Sequence, residues 1–164
     1  MILAIDPGDV LSAWVLYNPT TKQLIDFAKE PNEDLLARFP EFRKQANKVA
    51  IEMIASYGMA VGKTVFETCV WIGRYWQAWE ELGGKADRVF RKDVKIHLCH
   101  SMKANDSNIR AAIIDLFPRT GKTTKGDPCA KGCKKYPGPL YGVSKDVWAA
   151  LGVGITYSET KIGI

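Results

Sequence analysis

The sequence predicts an α/β domain whose central sheet mixes antiparallel and parallel strands and is covered by helices on both faces. Three observations predict it. The chain opens with three short apolar runs separated by turn residues, strand and helix patterns then alternate, and the helical stretches carry apolar faces that must be buried against a sheet. At 164 residues the chain fits a single domain spanning 1–164, with no internal repeat. A domain of this length buries roughly two thirds of the surface its unfolded chain exposes, so it needs no disulfide staples.

The first strand is Ile2 to Ile5, ended by the turn residues Asp6-Pro7-Gly8. Leu11 to Tyr17 is the second, and after the polar break Asn18 to Thr21 comes a third, Lys22 to Ala28, completing a meander. Asn32 to Asn47 has helical spacing through Leu35, Leu36, Phe39, Phe42 and Ala46, interrupted at Pro40. Lys48 to Ile54 returns to strand character, and right-handed crossovers place it beside the first strand.

A long helix is expected from about Val61 to Leu82, with Val65, Cys69, Ile72, Trp76 and Trp79 on one face and Gly83-Gly84 ending it. A strand near Arg88 to Phe90, a short basic helix near Asp93 to Leu98, and a helix from Asn105 to Phe117 follow, the last with Asp106 and Ser107 as candidate caps. Residues 118–142 are rich in Gly, Pro and Lys without periodicity and read as a long basic loop. The last helix starts after Ser144 and carries Val147, Ala150, Leu151 and Gly154.

Charge points to an anionic partner. The formal net charge is +5, and in the 118–142 segment Arg119, Lys122, Lys125, Lys131, Lys134 and Lys135 face Asp127 alone. That local excess equals the balance of the whole chain, consistent with a solvated loop or with phosphate contacts. No apolar stretch approaches the ~20 residues of a bilayer span, and the opening apolar run stops at Asp6, so the expected setting is cytoplasmic, with free thiols and no membrane contact.

Asp6 stands where a strand meets a turn, the place where a side chain leaves the core for a cleft. Glu52 is flanked by apolar residues in Val49-Ala-Ile-Glu-Met-Ile54, and a buried ionised carboxylate is costly unless it is paired or binds a metal. Asp146 lies at the start of the final helix, where the macrodipole favours an acid. Taken singly, these are a turn aspartate, an edge-strand glutamate and a helix-start aspartate. Asp6 and Glu52, on neighbouring strands, can share a divalent cation, and the apolar remainder of the last helix brings Asp146 toward the same core.

The segments Ile2-Leu-Ala-Ile-Asp-Pro-Gly8 and Val49-Ala-Ile-Glu52, the basic stretch Val89-Phe-Arg-Lys-Asp-Val-Lys95, and the aspartate helix from Ser144 resemble, in that order, the RuvC family of Holliday-junction resolvases, which have an RNase H-like fold. Pro137-Gly-Pro-Leu-Tyr-Gly142 resembles the phage-encoded members of that family.

The resemblance implies a structure-selective endonuclease that resolves four-way DNA junctions by two-metal phosphodiester hydrolysis. Asp6, Glu52 and Asp146 would hold two Mg²⁺ or Mn²⁺ ions per site, and a homodimer would match a symmetric junction. It also implies that Arg91, Lys92, Lys95, Lys145 and the basic loop, with Lys122, Lys125, Lys131, Lys134 and Lys135, hold DNA backbones. The family places a further acid or histidine three residues before its last aspartate; here that position is Val143. Glu67, one turn into the covering helix, is the candidate substitute if it faces the cleft, and an exposed helix glutamate if it does not.

Other signals lead elsewhere. Gly58 to Thr64 and Thr120 to Thr123 imitate a phosphate-binding loop but lack its glycine spacing, so no nucleotide cofactor is expected. Cys99, His100, Cys129 and Cys133 could assemble a zinc site if the loop folds back, with free thiols the simpler reading. Trp71, Tyr75 and Trp79 could stack on bases or belong to the core. Two further functions share the acids: a nuclease for RNA or RNA–DNA hybrid, and a junction-binding protein without activity.

Overall fold

A computed structural model describes residues 1–55, 58 and 60–163. Met59, inside the first phosphate-loop imitation, lies outside the described residues. β1 (Ile2–Asp6), β2 (Leu11–Asn18) and β3 (Gln23–Pro31) form the antiparallel meander, and β4 (Lys48–Met53) and β5 (Lys85–Phe90) run parallel to β1, in the order β3-β2-β1-β4-β5. β3 extends past the expected Ala28 to Pro31. As an edge strand it tolerates the charged Lys29 and Glu30, which pair with Ala13 and Ser12.

The period-two alternation of the strands divides the core in two. Ile2, Ala4, Ala13, Val15, Tyr17 and Ala50 face one way, toward the cluster formed with α4 (Arg91–Cys99), α5 (Asp106–Leu116) and α6 (Val147–Tyr157); Leu3, Ile5, Trp14, Leu16, Val49 and Ile51 face the other, toward α1 (Asn32–Ala37), α2 (Phe39–Arg43) and α3 (Lys63–Glu81). The sheet is therefore apolar on both sides, as parallel strands buried between helices require.

The expected helix over 32–47 is two short ones, α1 (Asn32–Ala37) and α2 (Phe39–Arg43), with Pro40 in the first turn of α2, where its missing N–H costs nothing. Leu35, Phe39, Phe42 and Ala46 still reach the core. α3 (Lys63–Glu81) is rotated about its axis from the expected orientation: Thr68, Ile72, Tyr75 and Trp79 are buried, while Cys69 is exposed and Trp76 half-buried. Tyr75 and Trp79 are core side chains around Phe39, with ring centroids 5.5 and 5.4 Å from it, and so are unavailable to bases.

β5 begins at Lys85, ahead of the expected Arg88, and α4 covers Arg91–Cys99. α5 (Asp106–Leu116) is capped by Asn105, whose side chain accepts from the Asn108 N–H while Asn108 returns the bond, so neither Asp106 nor Ser107 is the cap. Residues 118–142 carry two small hairpins, β6 (Gly121–Lys122) with β7 (Pro128–Cys129) and β8 (Gly132–Cys133) with β9 (Tyr136–Pro137). Their backbones touch: a Cβ on Gly121 would lie 2.5 Å from the Gly138 nitrogen. Ala130 and Leu140 anchor them in the core.

α6 (Val147–Tyr157) is buried on nearly every side. Gly154 lets it lie close on β1, since a Cβ there would stand 3.2 Å from the Ala4 Cβ. No helix among the described residues is long and apolar enough to cross a membrane.

Candidate active site

Sheet register brings the first two acids together. Ile5 pairs with Ile51, so Asp6 and Glu52 stand side by side at the carboxyl ends of parallel strands, on the face that carries Ala4 and Ala50 and receives α6. The turn after Asp6 is held rigidly. The Gly8 N–H donates to Ser12 Oγ (3.2 Å), Ser12 donates to Asn32 Oδ1 (2.7 Å), Asn32 Nδ2 donates back to the Gly8 carbonyl (3.0 Å), and the Tyr75 hydroxyl donates to Ser12 (3.1 Å). Only glycine fits at position 8, where a Cβ would lie 2.3 Å from the Leu11 carbonyl oxygen. Ser12 and Asn32 are buried polar groups explained by this network.

Asp146 arrives from the opposite wall. It is the residue preceding α6, and its side chain makes no capping bond. Lys145 before it adopts a left-handed backbone (φ 47°), an unfavourable conformation for a non-glycine residue, at the turn that delivers Asp146 to the cleft. The Asp146 carboxylate is bonded by Lys29 of β3. Register explains Lys29 too, because Asp6 pairs with Ala13 and Ala13 with Lys29, placing all three on one face.

The resulting cleft, about 410 Å³, is lined by Asp6, Glu52 and Asp146, by Arg91, Asp106 and Lys145, and by an apolar wall including Ile54, Ile109 and Trp148. Burial and the adjoining Glu52 carboxyl push Asp6 up from 3.8 to about 8, with Asp146 adding to the effect. Burial also raises Glu52, against the opposing pull of Arg91. Arg91 Nη1 lies 3.6 Å from Glu52 Oε1 and its other nitrogen bonds Asp106.

Two adjoining carboxyls, each disfavoured as an anion by burial, suit a cation placed between them. Their donor set is all oxygen, which fits Mg²⁺ or Mn²⁺ better than zinc. The side chains as they stand do not converge further: among the described residues no three His, Cys, Asp or Glu groups are close enough to share one ion. Asp6 and Glu52 form the pair, and Asp146 borders the same cleft on its Lys29 tether.

Glu67 is exposed on α3 and does not border the cleft. Lys92 is exposed and Lys95 half-buried on α4. Among the described residues Lys122, Lys125, Lys131, Lys134 and Lys135 make no ion pair, although Arg119 pairs with Asp115. Cys99, Cys129 and Cys133 are free thiols, with Cys129 Sγ accepting from the Gly132 N–H, and among the described residues they do not gather with His100 into a group of three or more side chains that could hold a metal ion. Lys29 and Asp106 are the site residues that the sequence reading missed. Strand register would have found Lys29, and the Asn105-x-x-Asn108 cap, by fixing where α5 begins, would have found Asp106.

No protein-family model and no curated protein matches the sequence. Solved structures do match. The chain is similar to Thermus thermophilus RuvC at 16% identity and a TM-score of 0.60, over 99% of this chain and 96% of that one. It is likewise similar to T. thermophilus RuvC in complex with a Holliday-junction substrate, at 15% identity and a TM-score of 0.61, over 99% and 95%. Over nearly its whole length, then, this chain has the RNase H-like fold of RuvC.

Proposed function

We propose that the protein is a divalent-metal-dependent endonuclease that resolves four-way DNA junctions, with Asp6, Glu52 and Asp146 as its catalytic acids. One observation carries the reading: two carboxyls adjoin at the ends of β1 and β4 in a cleft that Asp146 enters from α6. The fold likeness supports it, since a protein of that fold has been seen with a Holliday-junction substrate.

Asp6 and Glu52 would hold Mg²⁺ or Mn²⁺ between them, and Asp146, released from Lys29, would complete a site for two ions. Ions bound there supply a water of lowered pKa and charge stabilisation of the leaving oxygen. The remaining work falls to the chain. Asp6 gives up its proton on loading, the hydrogen-bonded Gly8 turn fixes its carboxylate, and Arg91 and Lys145 draw a phosphodiester into the cleft. Lys92, Lys95 and the unpaired lysines of the 118–142 hairpins track the flanking backbones. A homodimer, suited to a junction with two strands to cut, is part of the proposal; the apolar residues exposed along α3, Phe66 and Val70 among them, support it.

A second reading, junction binding without cleavage, is favoured by Val143. It is 1% exposed in the core and supplies no ligand where the RuvC pattern has one. Incubating labelled four-way junction, duplex and RNA–DNA hybrid with Mg²⁺ separates the readings. Paired nicks near the crossover, lost in Asp6→Asn, are the expected result. Preferred cutting of the hybrid, or binding without cutting, refutes the assignment.

A further inference from the structure

Glu52 faces two competing partners. Arg91 is the first residue of α4 and Asp106 the first of α5, and the capping box between Asn105 and Asn108 holds Asp106 at that position. The guanidinium spans the gap between the two acids unequally: it is hydrogen-bonded to Asp106, yet stands 3.6 Å from Glu52, an ion-pair separation beyond hydrogen-bond reach. Glu52 is the more buried acid, with 12% of its side chain exposed against 84% for Asp106. Coulomb attraction is stronger where water is excluded, so on charge alone Arg91 should prefer Glu52. Asp106 opposes that preference by taking the hydrogen bond that Glu52 does not make.

We propose that Asp106 is a positioning residue: by bonding Arg91 it holds the guanidinium short of hydrogen-bonding Glu52, so that Glu52 keeps its oxygens available to a divalent cation and Arg91 stays at the cleft rim, where a phosphodiester enters. The proposal rests on the reading of Asp6 and Glu52 as metal ligands. A plainer role for Asp106, an acid complementing the N-terminal dipole of α5, predicts an effect on helix stability and none on ion binding that depends on Arg91.

The test uses the full chain and Mn²⁺ alone, with free Mn²⁺ followed by electron paramagnetic resonance, in wild type, Asp106→Asn, Arg91→Ala and the double variant. Asp106→Asn should weaken Mn²⁺ binding about three- to fivefold, the scale of a partly exposed ion pair. In the Arg91→Ala background the same substitution should change nothing, because no guanidinium remains to occupy Glu52. Equal loss in both backgrounds would mean that Asp106 acts on the ion directly, and no loss in the first would mean that it does not restrain Arg91; either overturns the proposal. If wild type and all variants fail to bind Mn²⁺, the metal-site reading beneath it falls, an outcome distinct from the other two. Thermal melts of the four proteins establish that each is folded.

Discussion

Replacing Asp6 by Asn keeps the shape of a protonated carboxyl and removes its capacity to ionise. Without divalent ions the Asp6 carboxyl holds its proton to about pH 8, because it is buried beside Glu52. A group whose folded value lies above its unfolded one stabilises the fold fully below the unfolded value of 3.8, and that stability drains away as pH rises toward 8. At about 1.4 kcal/mol per pH unit, the loss between pH 4 and 7 has a ceiling near 4 kcal/mol. Because the two carboxyls titrate together, about half of that, ~2 kcal/mol, is the reasonable share of Asp6. For a chain of this length ~2 kcal/mol corresponds to about 4–8 °C in Tm.

Thermal melts in a chelator should therefore show wild type losing stability between pH 5 and 7.5. Asp6→Asn should melt about 4–8 °C higher than wild type at pH 7.5 and close to it at pH 5. Adding Mg²⁺ should stabilise wild type and leave the variant unmoved. A variant that melts below wild type at both pH values would refute the electrostatic reasoning, since Asp6 would then be a net stabilising group.

Three other outcomes are expected. Gly8→Ala, forcing a Cβ to 2.3 Å from the Leu11 carbonyl oxygen, should cost about 1–3 kcal/mol in urea unfolding and lower cleavage by displacing Asp6. Gly154→Val, at a position where even a Cβ stands 3.2 Å from Ala4, should lift α6 from β1 and weaken Mn²⁺ binding, measured by calorimetry, along with stability. Reversing Lys134 and Lys135 to Glu should leave the melt unchanged. It should reduce the salt slope of junction binding by about two in fluorescence anisotropy, one counterion per lost phosphate contact.

Much of the architecture was legible because β1, β2 and β4 are apolar runs with clear turn residues at their ends, and Asp6 and Glu52 were conspicuous as charges set into them. The break at Pro40 was legible as a break, although its result, two helices with proline in the first turn of the second, depended on Phe39 and Phe42 reaching the core. The face of α3 was harder. Ile72 and Trp79 fit a helical face either with Val65, Cys69 and Trp76 or with Thr68 and Tyr75, and the choice is made by the buried bond from Tyr75 to Ser12, 63 residues away in sequence. The 118–142 hairpins were illegible because two-residue strands carry no periodicity and their glycines serve backbone packing. Lys29 and Asp106 entered the site through register and helix start, neither of which a side-chain type announces. Glu67 was suggested by its position one turn into α3, and that turn faces solvent.

Anomalous scattering from crystals grown with Mn²⁺ reads the proposed centre most directly. A peak between the Asp6 and Glu52 carboxylates, with Asp146 turned from Lys29 to ligate manganese, is the predicted result. Manganese absent from that pair at saturating concentration, with Asp146 still held by Lys29, would contradict it.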